Sequence, residues 1–168
     1  PDYLERYPAD PLRYLMSINM PETSDADFSW REFVRRNNDE LVATFGNLVQ
    51  RVLSFAYRNF DQRVPSAGEL DAESKALLKK AEATLVSADE LLYTCHFREA
   101  IREIMALAQE ANRYLDNKAP WKKINEDKAS AMTSTFTVIG LISCLKTTLY
   151  PFLPFSSEKL HRLLGFKG

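Results

Sequence analysis

Two rows of polar side chains and one tryptophan are the groups in this chain best placed to act on a partner. Gln109, Asn112, Arg113 and Asp116 are spaced three and four residues apart, so on a helix they stand along one face. The row leads to Ala119, Pro120 and Trp121. Proline removes a backbone N–H and biases the residue before it away from the helical region. The helix should therefore stop near Lys118, with Ala119 outside the helical region and Trp121 just past the stop. A lone tryptophan commonly packs in a core; at the end of a row of amides and charges it is equally placed to be an exposed stacking platform. The second row is Asn47, Arg51, Ser54 and Arg58, in a stretch from Leu41 to Phe60 that has no acidic residue. A solvated helix face would give the same pattern.

Catalytic chemistry is not visible. The two histidines, His96 and His161, have no Ser, Cys or Asp partner at a recognisable spacing. Five glycines in 168 residues leave no phosphate-cradling loop, and there is no His-Glu-x-x-His. The paired acids Asp25/Asp27, Asp39/Glu40 and Glu126/Asp127 read as caps and solvated groups. Cys95 and Cys144 stand far apart without companion ligands. A metal site or disulfide scaffold is not expected, and a reduced cytoplasmic setting is the default. With a net charge of −1, any attraction to nucleic acid must come from a local patch. No apolar run approaches the roughly 18 residues that span a bilayer, so no membrane partner is expected. The start at Pro1, without methionine or a signal peptide, suggests a piece of a longer protein.

The elements that must position the two rows are helical. Apolar residues at Phe97, Ile101, Ile104, Met105, Ala108, Ala111 and Leu115 trace one buried helix face. Ser29 to Glu32 is a capping box with Phe28 and Phe33 as its staple. It opens a helix of about 30 residues to Phe60, roughly 45 Å long. Asp71 caps a helix reaching Thr94, and Asn125 or Asp127 starts another reaching Tyr150. Asp10 with Pro11 caps a short helix to about Ser17, and Ser156 caps a last one ended by Gly165. No segment alternates long enough for a strand. The expected fold is all-α, a bundle of four main helices with short flanking helices. Residues 1–28 form a linker and 29–168 the helical domain.

Ala-Asn-Arg-Tyr-Leu-Asp-x-Lys-Ala-Pro-Trp (111–121) resembles the C-terminal region of methionyl-tRNA synthetases. So do Phe-Arg-Glu-Ala-Ile-Arg-Glu-Ile-Met-Ala-Leu-Ala (97–108), Asp-Ala-Asp-Phe-Ser-Trp (25–30) and Leu-Pro-Phe-Ser-Ser (153–157). The likeness covers essentially the whole chain in order. Ala-Asp-Pro-Leu-Arg-Tyr-Leu (9–15) is similar to the stem-contact segment after that family's Lys-Met-Ser-Lys-Ser loop. That loop and the His-Ile-Gly-His signature are both absent here.

The resemblance implies an anticodon-binding domain of class I synthetase type, without its catalytic half and inactive alone. In the parent enzyme ATP and methionine are used by the catalytic domain; this part needs no cofactor. The family's tryptophan that stacks on the wobble cytosine corresponds to Trp121, presented by Pro120, and its polar row falls at Asn112 and Asp116. An Asn-x-x-x-Arg pair contacting anticodon bases maps to Ser54 and Arg58, with serine in place of asparagine and a shorter reach. Where other members carry an acid at the start of the row, this chain has Gln109. Arg51 would contact phosphate. Unstacked loop bases are read by aromatic stacking and base-edge hydrogen bonds, for which indole and guanidinium are suited. The implied partners are the anticodon loop of tRNA(Met) and the enzyme's own catalytic domain. The rival expectation is a helical interaction or scaffold domain that has lost RNA reading.

Overall fold

A computed structural model describes residues 2–21 and 28–167. The Asp25/Asp27 pair, and with it the first half of the Asp-Ala-Asp-Phe-Ser-Trp segment, lies outside them. The described residues are helical with no strand: α1 (Ala9–Ile18), α2 (Trp30–Arg36), a π-helical stretch (Asn37–Gly46), α3 (Asn47–Asn59), α4 (Ala72–Tyr93), α5 (Phe97–Lys118), α6 (Pro120–Lys123), α7 (Lys128–Leu149) and α8 (Pro154–Leu163). The long element from α2 to α3, together with α4, α5 and α7, makes the expected four-helix bundle, flanked by α1 and α8.

The expected starts at Ser29, Asp71 and Asp127 are all present. Each of these side chains accepts from the amide three residues on, at 3.4, 2.7 and 3.0 Å. Short polar side chains in this position satisfy amides that the first turn leaves unpaired. The carboxylate of Glu32 is taken by Arg35 and Arg36. The rings of Phe28 and Phe33 both meet Trp30 edge-on, so the staple runs through a third aromatic.

Two expected caps are corrected. Pro8, not Asp10, precedes the first turn of α1, and Leu153, not Ser156, precedes that of α8. Asp10 is 3% exposed and accepts from the amides of Phe155 (3.4 Å) and Ser156 (2.7 Å). One aspartate from the first helix therefore caps the last, because the free amides at a helix start donate to a carboxylate from any part of the chain.

α1 packs against the bundle. Tyr14, Leu15 and Ile18 are buried, and Arg98 from α5 donates to the carbonyls of Ile18 and Met20, both at 3.1 Å. Tyr14 donates to Glu40, which also pairs with Arg36. Burial first, then the Glu40 hydrogen bond and charge, raise the Tyr14 pKa well above its ordinary value.

The long helix is continuous, but its middle winds in π form. The amide of Asn47 bonds the carbonyl of Val42, and the Thr44 hydroxyl reaches the Asp39 carbonyl at 2.7 Å. Gly46 makes this winding possible. A Cβ there would lie 2.9 Å from the Leu41 carbonyl oxygen, five residues back. In an ordinary helix alanine is about 1 kcal/mol better than glycine. Here Gly46→Ala is expected to destabilise instead, by about 1–3 kcal/mol as overpacked sites do; a rise in melting temperature would contradict this.

α7 corrects another expectation: it is long and apolar enough to cross a membrane, with a mean hydropathy of 1.3. Its place explains the composition. Val138, Leu141, Ile142, Leu145 and Leu149 are fully buried in the bundle. Its buried hydroxyls turn inward on their own helix: Thr135 donates to the Ala131 carbonyl (2.7 Å) and Thr137 to that of Thr133 (2.9 Å). None of these α7 hydroxyls then needs water.

Candidate functional site

The two polar rows face each other. α3 lies beside α5, so Arg51 meets Asp116 and the π stretch meets Asn112. α5 ends at Lys118 as expected, and Ala119 leaves the right-handed helical region, adopting the left-handed conformation (φ 41°, ψ 59°). Its amide still bonds the Leu115 carbonyl at 2.9 Å. The chain then restarts at once as α6, with Pro120 in its first turn and buried. A proline needs no hydrogen-bond partner for its nitrogen at that position, so the two helices meet at a sharp corner. Trp121 sits on that corner.

Trp121 is 39% exposed, neither a core residue nor a free ring. The Arg51 guanidinium carbon lies 4.8 Å from its ring centroid, a cation–π distance. The same guanidinium donates to the Asp116 carboxylate at 2.6 Å. Arg51 is thus held between a carboxylate and an indole, and its charge is largely answered within the protein. Beside the phosphate contact expected of it, Arg51 touches the tryptophan in the free protein.

The remaining positions are spread along α3 and α5. Asn112 donates to the carbonyls of Thr44 (2.9 Å) and Ala108 (3.0 Å), so its NH2 group ties α5 to the π stretch. Its carbonyl oxygen remains an acceptor. Ser54 accepts from Gln50 at 3.1 Å. Arg58 lies two turns beyond Arg51, is exposed, and has no ion pair or hydrogen bond among the described residues. Trp121, Arg51 and Asp116 form one cluster; Ser54 and Arg58 extend from it, and Asn112 supports it from below. Lys122 and Lys123, directly after Trp121, were passed over in the sequence, although two cations beside an exposed ring were visible there.

The corner is also anchored from α4. Lys118 donates to Asp71 at 2.6 Å and pairs with Glu73 at 2.7 Å. The Lys118 ammonium and the Ser74 groups hold Asp71 well below the usual carboxylate range. For Lys118, partial burial opposes the charge, but the bonds to Asp71 and Glu73 outweigh it and raise the pKa. A depressed carboxylate stabilises fully above its unfolded pKa and loses that contribution as pH falls toward the folded one. The difference in melting temperature between the parent chain and Asp71→Asn should therefore be largest near neutral pH and shrink below about pH 4. A gap that widens in acid would overturn the pairing.

An exposed ring, a guanidinium and amide acceptors on a helix corner suit the recognition of an unpaired base. Residues 64–167 match the family described as the anticodon binding domain of methionyl tRNA ligase. The chain belongs to this family. Residues 1–53 match the class I (M) tRNA synthetases. The methionine–tRNA ligase of a Dehalococcoides mccartyi strain is 61% identical over 98% of this chain and 30% of its own length. That of Thermomicrobium roseum is 51% identical over 99% of the chain and 29% of its own. A solved methionyl-tRNA synthetase from Mycobacterium tuberculosis, in complex with methionyl-adenylate, superposes with a TM-score of 0.94 at 28% identity. That match covers 99% of this chain and 33% of the solved one. The chain thus spans about a third of the length of these relatives. Nearly the whole chain aligns with methionine–tRNA ligases, and residues 64–167 with their anticodon-binding domain, which favours that assignment over a scaffold domain.

Proposed function

We propose that the chain reads the anticodon loop of tRNA(Met) as part of a methionine–tRNA ligase. The observation that carries this is Trp121, half-open on a proline corner and braced on one side by Arg51 and Asp116. A platform held in this way loses little side-chain freedom when a base stacks on it, and such a stack is worth about 1–3 kcal/mol. In this reading Trp121 takes the wobble base, positioned by Pro120. Arg58, with no internal partner, offers its donor fork to a base edge or phosphate. The oxygens of Asn112 and Asp116 accept from exocyclic amines, and Ser54 contributes a single short-range hydroxyl. Lys122 and Lys123 add local positive charge to a molecule whose net charge is near zero.

The partner domain would activate methionine with ATP and transfer it to the tRNA in the cytoplasm. Residues 1–28 would form the joint to that domain, in contact with the tRNA stem. The test is a gel-shift of this chain with initiator tRNA and with the same tRNA carrying an altered anticodon. Retardation of the first and not the second is expected. Equal retardation of both, or of neither, would count against anticodon reading.

A further inference from the structure

We propose that the cavity between the C-terminal end of α7 and the outer face of α8 binds a small phosphate monoester, at a site separate from the Trp121 corner. The cavity has a volume of about 630 Å³, the size of a small-molecule site. Lys146 lies eighteen residues along α7 from Lys128, about 27 Å from the end that follows Trp121.

Lys146, Arg162 and Lys167 line the cavity, with Glu158 as its one acid. In a chain whose net charge is −1, this excess of two positive charges is local. Nor is it neutralised from within. Lys146 donates to Nδ1 of His161 at 2.9 Å and lies 4.8 Å from the ring centroid of Phe166. His161 in turn stacks on Phe166 at 5.0 Å. Neither the imidazole nor the phenyl ring carries a negative charge, so Lys146 is held in place by groups that do not cancel its own. Glu158 reaches Arg162 only at 3.9 Å, with both side chains exposed. Lys167 has no partner among the described residues.

A second, independent observation comes from the wall. Ser157 lines the same cavity and is 1% exposed, yet its hydroxyl has no hydrogen-bond partner. Buried hydroxyls are normally satisfied; those of Ser134, Thr135, Thr137 and Thr148 are. A phosphate monoester has two charges and several acceptor oxygens. It would answer both the uncompensated cations and the leftover donor. Tyr150, half-exposed on the lining, gives a ring against which the ester's organic part can lie. A chain-linked diester has one charge and matches the excess less well.

The test is titration of the 168-residue chain with inorganic phosphate and with phenyl phosphate, at ionic strength held constant with chloride, followed by amide chemical shifts. Dimethyl phosphate and an anticodon stem-loop RNA supply the diester arm. Saturable shifts confined to residues 146–167 are expected with both monoanion-to-dianion phosphates, tighter for phenyl phosphate. Lys146→Met should weaken binding at least tenfold, and Lys167→Ala, at an exposed position, at least threefold, with unchanged melting. Arg58→Ala should have no effect. Non-saturable shifts, affinity unchanged in both lysine variants, or shifts at these residues only with the diester or RNA would each overturn the proposal.

Discussion

Trp121→Ala is expected to weaken binding of a methionine anticodon stem-loop by about 1–3 kcal/mol, roughly 5- to 150-fold, with little change in folding stability. The geometry sets both halves of this result. The ring is 39% exposed, so truncation opens no closed cavity of the kind that costs about 3–5 kcal/mol in a core. What is lost on the free protein is the contact of one ring face with the Arg51 guanidinium. What is lost in the complex is the surface on which a base rests. Binding isotherms and melting curves of the same variant check the two together. A large drop in stability with affinity retained would make Trp121 a core residue.

The second large effect belongs to Arg58, and its sharpest form is a comparison with Arg51. Arg58→Ala should cost about 1–3 kcal/mol in stem-loop affinity if the guanidinium meets a base edge. It should also reduce the slope of log affinity against log salt by about 0.7, the value for one single-strand phosphate neutralised. Arg51 differs because Asp116 already answers its charge at 2.6 Å. Arg51→Ala should weaken binding by loosening the Trp121 ring while leaving the salt slope nearly unchanged. Equal changes of slope in the two variants would mean that the Arg51–Asp116 pair opens when RNA binds.

The caps at Ser29, Asp71 and Asp127 were legible because each is a local matter, a short polar side chain three residues before the amide it serves. The stop at Lys118 was legible for a similar reason, since proline acts on its immediate neighbour. The left-handed turn at Ala119 was not. The proline says that Ala119 leaves the helix, not which conformation turns α5 into α6 while keeping the Leu115 bond. Asp10 was misread because its partners, the amides of Phe155 and Ser156, lie some 145 residues away. The π winding left no trace in apolar spacing, although the single glycine at its end, Gly46, was its local signature.

At the site, residue identities were readable and their partners were not. Spacing placed Arg51, Ser54 and Arg58 on one stripe and Asn112 and Asp116 on another, and the structure keeps both. Which arginine would be paired and which free depends on how α3 lies across α5. That packing also spends the amide of Asn112 on the Thr44 carbonyl. A helix face drawn from sequence alone cannot distinguish Arg58, turned to water, from Arg51, locked beneath an indole.

The most direct test uses Trp121 as its own reporter. Only one other tryptophan, Trp30, is present, and Trp30→Phe leaves emission from Trp121 alone. Stem-loop RNA with the methionine anticodon should quench that emission saturably, and a loop with a different wobble base should do so less. Emission indifferent to either RNA, at concentrations where the complex forms, would contradict base stacking on Trp121.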